Sequence, residues 1–348
     1  MALGYQGFGN VGDEAILAGI EELLSGSRVQ VATVIGGAQP IAAYALARRI
    51  ETHRMRPNLA ATRAIRGSGV VLVSGGGLLN DHWSTVVPTY LAWTVLARLV
   101  GARIAWIGVG VGPLRRPISR RLAGWALRLA ACITVRDPES AALVASIAPG
   151  VKVTVVPDPA LLISPPEPRQ RSGIGFVVRH TTPGRVSEGA TMANALADAA
   201  ARFAPRSVRL ITFGGRRDRA FAGEVRERAA WAGITLSIEE LDPDPHRAIE
   251  VMAGLESVVS VRLHGLILAA VAGTPAVPVA YDQKVLSTAR LLGIEHLCQP
   301  ISGLTGQGIA AALSEAQSSA TQDAVAQRLD ELRSGGPALR SLIEKAVA

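Results

Sequence analysis

The chain alternates along its length between short, continuously apolar runs and longer segments of helical character, and it does so twice. A strand covered on both faces needs no polar alternation, so it reads as an unbroken apolar run. Such runs, separated by helices, belong to parallel sheets with helices on both faces. Residues 70–73 are one such run, leading into Ser74-Gly75-Gly76-Gly77, and residues 103–109 are another, ending in Gly110-Val111-Gly112-Pro113. Strands are also expected over 28–35, 133–135 and 151–156, and helices over 41–50, 85–100, 118–131 and 138–148. The pattern breaks at 164–172, where Pro165, Pro166 and Pro168 among polar neighbours suit neither sheet nor helix and mark a linker. It then restarts, with strands over 174–178, 208–213, 234–238, 257–261 and 276–281. Helices are expected over 188–204, 220–232, 245–253 and 263–272, followed by terminal helices. The fold class is therefore α/β, with two Rossmann-like domains and mainly parallel sheets. The first domain is 1–163, the linker 164–172, and the second domain 173–348 with its terminal helices. Paired domains of this type are expected to take ligands in the cleft between them, at the carboxyl ends of the strands.

Composition narrows the function classes. Hydrophobic residues at 49% suffice for full cores, and 18% charged residues argue against disorder. The formal net charge is +8, and all cations except Lys152, Lys284 and Lys345 are arginine, whose planar fork suits carboxylate and phosphate. These arginines are scattered, in pairs such as Arg48-Arg49, Arg115-Arg116 and Arg216-Arg217, not gathered in a run with aromatics, so nucleic acid is not an expected partner. Solvated helix faces, small anionic ligands and an acidic membrane surface remain as readings of the charge. Cys132 and Cys298 are far apart in apolar surroundings and are expected to be buried free thiols. The N-terminal residues carry no signal sequence, and no segment offers the roughly 20 uninterrupted apolar residues of a membrane span. The expected location is cytoplasmic, with peripheral contact at the inner membrane face left open.

The first chemical motif runs from Gly4 to Leu17. Its glycines let the backbone turn sharply and approach a ligand, and it opens a helix whose free amides favour an anion. Gly7, Gly9 and Gly12 match the dinucleotide-binding spacing, but residues 34–37 lack the acid that would hold a ribose. The strand expected before the loop is represented only by Ala2 and Leu3, so its start is expected upstream. A tight strand-to-helix turn, with Asp13 and Glu14 favouring the first helical turn, is the plainer reading.

This segment resembles the opening of polysaccharide pyruvyl transferases, in particular the CsaB-like branch that pyruvylates bacterial cell-wall polymers. Four further segments are similar to that family in the same order: Ser74 to Asp81, Gly108 to Pro113, Thr134 to Ser140, and Val261-Arg262-Leu263-His264-Gly265-Leu266 with Tyr281 to Val285. The resemblance covers roughly residues 4–290, with Gly77 standing where family members often carry Ser. It implies a GT-B-like arrangement, in which the terminal helices can cross back onto the first domain, with phosphoenolpyruvate as co-substrate, no cofactor and no metal. The implied acceptor is a saccharide, with a lipid-linked cell-wall or exopolysaccharide intermediate as one form.

Forming a pyruvate ketal requires cations for a carboxylate and a phosphate, and a group that exchanges protons near neutral pH. Arg262 and His264 follow an apolar strand and open a helix, where strand alternation would place both on one side. His264 is assigned as general acid/base or, alternatively, as a phosphate ligand. Arg262, Arg179, Arg136 and Lys284 are donor-binding candidates, with structural ion pairs competing at Arg136 and Arg179 and a solvated loop at Lys284. Asp13, with Asn10, is a candidate to orient or deprotonate an acceptor hydroxyl. Gly7, Gly9, Gly12, Gly76, Gly77, Asp81 and His82 are expected on the loops of the acceptor side. His53, His246 and His296 are not assigned a role.

Two other classes compete. A GT-B-type glycosyltransferase using a nucleotide sugar would typically place a carboxylate near the donor ribose or sugar, and no acid lies between Arg262 and Pro275. A non-catalytic carbohydrate- or anion-binding protein could retain the same fold. A nicotinamide-dependent dehydrogenase ranks below both for want of the ribose acid.

Overall fold

The computed structural model describes residues 2–27, 32–35, 48–51, 59–180 and 186–347. The chain forms two compact units: unit 1 is Met1–Ile163 with Leu332–Ala348, and unit 2 is Ser164–Glu331.

Unit 1 is built from β1 (Ala2–Leu3), α1 (Val11–Leu23), β2 (Ala32–Ile35), β3 (Arg48–Glu51), α2 (Leu59–Ser68) and β4 (Val70–Ser74). It continues through α3 (Val86–Leu99), β5 (Arg103–Val109), α4 (Pro117–Arg128), β6 (Cys132–Val135), α5 (Pro138–Ile147) and β7 (Thr154–Val155). The strands form one sheet in the order β3-β2-β1-β4-β5-β6-β7, every described pairing parallel. β4 is buried at all five positions, and β5 is buried everywhere but Arg103, which is why both read as unbroken apolar runs. The core gathers around Trp93 and Trp106, both fully buried, with the Tyr90 and Trp106 rings 5.9 Å apart. Helix α1 begins at an Asn10 cap and α5 at an Asp137 cap, each side chain accepting from a first-turn amide.

Unit 2 contains β8 (Ile174–Val177), α6 (Val186–Arg202), β9 (Val208–Thr212), α7 (Arg216–Trp231), β10 (Ser237–Glu240), α8 (Pro245–Ala253) and β11 (Ser257–Ser260). It continues with α9 (Leu263–Val271), β12 (Ala276–Ala280), α10 (Gln283–Leu291), β13 (Gln299–Pro300), α11 (Gly306–Ala316) and most of α12 (Ser319–Arg333). Its sheet runs β10-β9-β8-β11-β12-β13, again parallel. Each sheet therefore reverses direction beside its first strand, between β1 and β4 in unit 1 and between β8 and β11 in unit 2. Ligands of open α/β sheets bind at such switch points, beyond the carboxyl ends of the strands.

Some expectations are corrected. The sequence assigns residues 41–50 to a helix; 41–47 lie outside the described residues, and Arg48–Glu51 is strand, because its backbone pairs with the open edge of β2. Residues 28–31 and His53 also lie outside the described residues. Helix α2 is not anticipated, and β7 and β10 differ from the expected spans, each lying at a sheet edge where pairing constrains only one side. The last residues, 332–348, belong with unit 1 and not with the second domain, the crossing-back that the family resemblance implies. Arg333 donates to the carbonyls of Leu161 (2.8 Å) and Ile163 (2.9 Å). Helix α13 (Gly336–Val347) buries Leu339 and Ile343 in unit 1, where it packs on α1, β5 and β6. Cys132 and Cys298 are free but only half-buried, and burial raises both thiol pKa values. Among the described residues no helix is long and apolar enough to cross a membrane.

Candidate active site

At the unit 1 switch point, the loop after β1 lies against the end of β4. A Cβ on Gly4 would come within 2.0 Å of the Ser74 carbonyl oxygen, so this close approach admits only glycine. Gln6 is fully buried and its Nε2 donates to the Ser74 carbonyl at 3.3 Å. Gly7 and Gly9 take φ values of 79° and 77°, and the Gly7 amide donates to Glu14 Oε1 at 2.7 Å. Gly12 donates to Asn10 Oδ1 at 3.3 Å, while Asn10 Nδ2 donates to Asp13. Glu14 is fully buried, and its pKa is pushed up to about 7. Desolvation is the largest cause, countered by the Gly7 amide and reinforced by the negative charges of Asp13 and Glu21. Glu21 is raised by burial to about 7 as well. Burial, and then the charge of Asp13, raises Tyr5 and Tyr90, so both phenols lie in the field of that carboxylate. Gln6 Oε1, Ser74 Oγ and the Tyr90 hydroxyl are buried without a protein hydrogen-bond partner.

The outer part of this loop presents aromatic surface. The Tyr5 and Phe8 rings stack at 4.5 Å and are 41% and 37% exposed, and Trp83, past the end of β4, is 63% exposed. The sequence reading passed over these residues and over Glu14 as a loop anchor; Tyr5 and Phe8 flanking glycines were the available signal.

The second glycine loop is held from within. Gly76 is buried and its carbonyl accepts from Gly110 at 2.9 Å, whereas Gly77 is exposed with nothing within 4 Å of a Cβ placed on it. A serine fits at Gly77 without displacing any neighbour. Asp81 Oδ2 accepts from the amides of Arg115 and Arg116, both at 2.7 Å, and anchors the start of α4. His82 is exposed beside it. Arg136 is 5% exposed and forms ion pairs with Asp158 (3.2 Å) and Asp137 (3.5 Å), so its charge is already matched inside unit 1. These are the structural ion pairs expected to compete with donor binding at this residue.

At the unit 2 switch point the chemistry is cationic. Arg262 is the extended residue that caps α9, with φ −99° and ψ 136°, so strand alternation ends at it and His264 is already helical. Arg262 Nε donates to Asp218 Oδ2 at 3.0 Å, its Nη2 donates to the same oxygen, and the guanidinium carbon lies 5.8 Å from the Phe213 ring centre. Asp218 also accepts from the His180 amide at 3.1 Å, tying the ends of β8 and β11 to the start of α7. Asp218 lies 44 residues before Arg262, so no local pattern marks it as the partner of that guanidinium. Gly265 lets α9 sit close: a Cβ there would come within 2.2 Å of Ser260 Oγ and 3.0 Å of Val177 Cγ1. Arg179 stands over the Tyr281 ring, 4.7 Å from its centre. Lys284 lies in the first turn of α10, 3.6 Å from Asp282, whose side chain caps that helix. A hollow of about 390 Å³ beside Tyr281 is lined by Ser187, Glu188 and Thr191 and by Pro300 to Gly303. Among the described residues no His, Cys, Asp or Glu cluster could hold a metal ion.

The fold and these two switch points define a class: two parallel α/β domains of the GT-B type. A UDP-GlcNAc 2-epimerase from Neisseria meningitidis, solved with UDP-GlcNAc, is 13% identical with a TM-score of 0.60 over 99% of this chain and 98% of that one. A glycosyltransferase from Rickettsia africae is 12% identical with a TM-score of 0.59 over 99% and 97%. A UDP-GlcNAc 2-epimerase from Methanocaldococcus jannaschii, solved with UDP-GlcNAc and UDP, is 11% identical with a TM-score of 0.58 over 96% and 99%. No curated protein sequence matches the chain significantly. The family model for polysaccharide pyruvyl transferase matches residues 10–283, and the chain belongs to that family.

Proposed function

We propose that this protein transfers the pyruvyl unit of phosphoenolpyruvate to a pair of hydroxyls on a saccharide, releasing inorganic phosphate. The observation that carries the reading is Arg262, fixed by Asp218 at the carboxyl end of β11 and the amino end of α9, two residues before His264. An oriented fork beside free helix amides suits a small dianionic donor. Arg179 and Lys284 supply further positive charge at the ends of β8 and β12. Arg136 is left out of this set because two carboxylates already hold it.

In this reading His264 delivers a proton to the methylene carbon, making C2 electrophilic. A sugar hydroxyl attacks C2, the bond from C2 to the phosphate oxygen breaks, and the second hydroxyl closes the ketal. One hydroxyl proton replaces the one given to the methyl group, and the other leaves with phosphate. On unit 1, Asp13, oriented by Asn10, offers a carboxylate that can accept from a sugar hydroxyl, and Tyr5 and Phe8 offer apolar faces to a sugar ring.

Calorimetric titration with phosphoenolpyruvate and with UDP- and CMP-linked sugars tests the donor. Binding of phosphoenolpyruvate that disappears in Arg262→Ala, with phosphate release when a saccharide acceptor is present, supports the reading. Saturable binding of a nucleotide sugar alone replaces it with glycosyl transfer. Binding of phosphoenolpyruvate without turnover on any acceptor pool favours a non-catalytic role.

A further inference from the structure

From His82 to Arg136 the sequence contains eight arginines and no aspartate or glutamate. Only Arg136 among them is buried against carboxylates. The rest of the segment is chiefly α3, β5 and α4, and the two helices pack against each other. They turn Tyr90, Trp93, Ala123 and Leu127 inward. What they leave outside is unusual. On α3, Pro88, Ala92, Val95 and Leu99 recur at helical spacing on one face and all are exposed, Leu99 at 79%. On α4, Ile118 and Trp125 are 58% and 56% exposed.

Residues 86–97 of α3 contain no charge at all. A helix apolar around its circumference is normally buried on every side, yet one side of this one faces outward. On or beside the same two helices, Arg98, Arg115, Arg116 and Arg121 are all exposed, and among the described residues no carboxylate pairs with any of them. Arg120 and Arg128 reach only neutral oxygens, Ser146 Oγ at 3.1 Å and the Ile147 carbonyl at 3.3 Å. Protein partners are commonly selected by a mixture of charge signs that sets register. A face with apolar anchors and cations of one sign instead matches a lipid surface, where side chains enter the headgroup boundary and guanidinium groups meet phosphate.

We propose that the outer face of α3 and α4 docks unit 1 peripherally on an anionic lipid bilayer. The inference rests on that face alone and is independent of the donor chemistry.

Flotation of the full chain with vesicles of phosphatidylcholine, with or without about one third phosphatidylglycerol, tests it. The protein should float with the anionic vesicles, not with the neutral ones, and salt should weaken the association. The combined Arg115→Gln, Arg116→Gln and Arg121→Gln variant should lower the apparent partition about a hundredfold. Leu99→Ser with Trp125→Ser should lower it by about tenfold or more with every arginine in place. Unchanged thermal melting of both variants would show that folding is not the cause. Failure to bind anionic vesicles, or binding that survives both variants, would overturn the proposal. So would a concentration-dependent dimer in sedimentation that Leu99→Ser with Trp125→Ser dissolves, since the face would then belong to a second copy.

Discussion

The two sheets share the same core strand order and reverse at equivalent places, yet the side chains gathered at the two reversals have opposite character. Between β1 and β4 stand glycines, phenols, a buried glutamate near neutrality and an oriented aspartate. Between β8 and β11 stand two arginines and a histidine, with one carboxylate holding the central guanidinium in place. Topology thus decides where a site forms, while a handful of residues after each strand decides its chemistry. The first set suits a neutral, hydroxyl-bearing molecule and the second a small anion.

The comparison breaks most visibly if the cationic side is dispensable. His264→Ala and Arg262→Ala should each reduce pyruvyl transfer by roughly 10²–10⁴-fold, with the fold retained in circular dichroism. Full activity of either would remove the anion-binding half of the contrast. Asp218→Asn keeps the shape but not the charge. It should raise KM for phosphoenolpyruvate more than it lowers kcat, because Asp218 acts through Arg262.

Close packing at both reversals provides the next test. Gly4→Ala should cost several kcal/mol, since the new methyl meets a backbone carbonyl that cannot step aside. Gly265→Ala should cost less, about 1–3 kcal/mol, because Ser260 Oγ and Val177 can partly yield. Urea titration of both variants would check the order, and equal costs would mean the two approaches are equally rigid.

A smaller effect separates the two sides by pH. Burial holds the Glu14 pKa at about 7, so the folded chain keeps this proton more firmly than the unfolded chain does. The resulting stabilisation is complete below the ordinary carboxyl range and is lost as pH rises through about 7. Glu14→Gln should therefore be nearly neutral near pH 5 and stabilising by roughly 1–3 kcal/mol near pH 8. Glu21, raised in the same direction, should leave part of the slope in place. A melting profile that responds equally at both pH values would show that Glu14 is not held neutral. Smallest of all, Tyr5→Ala or Phe8→Ala should raise KM for the saccharide about three- to tenfold, with KM for phosphoenolpyruvate unmoved.

Much of this was legible in the sequence because local rules sufficed. Buried parallel strands such as β4 and β5 announce themselves as apolar runs, and Arg262 and His264 follow such a strand directly. What escaped was set by distant partners. Asp218 meets Arg262 across 44 positions, and Asp81 and Arg136 prove to be anchors only once their amide and carboxylate neighbours are known. Strand β3 depends on the edge of β2, which outweighs the helical preference of the residues before it. Arginines that look scattered along the chain fall on or beside two helices, α3 and α4, that pack side by side.

The return of Leu332–Ala348 to unit 1 has a consequence for how the protein is made. All of unit 2 is translated before α13, whose Leu339 and Ile343 fill part of the unit 1 interior. Until residues 332–348 have been added, unit 1 lacks α13 and keeps that apolar surface uncovered. Unit 1 is started first and finished last.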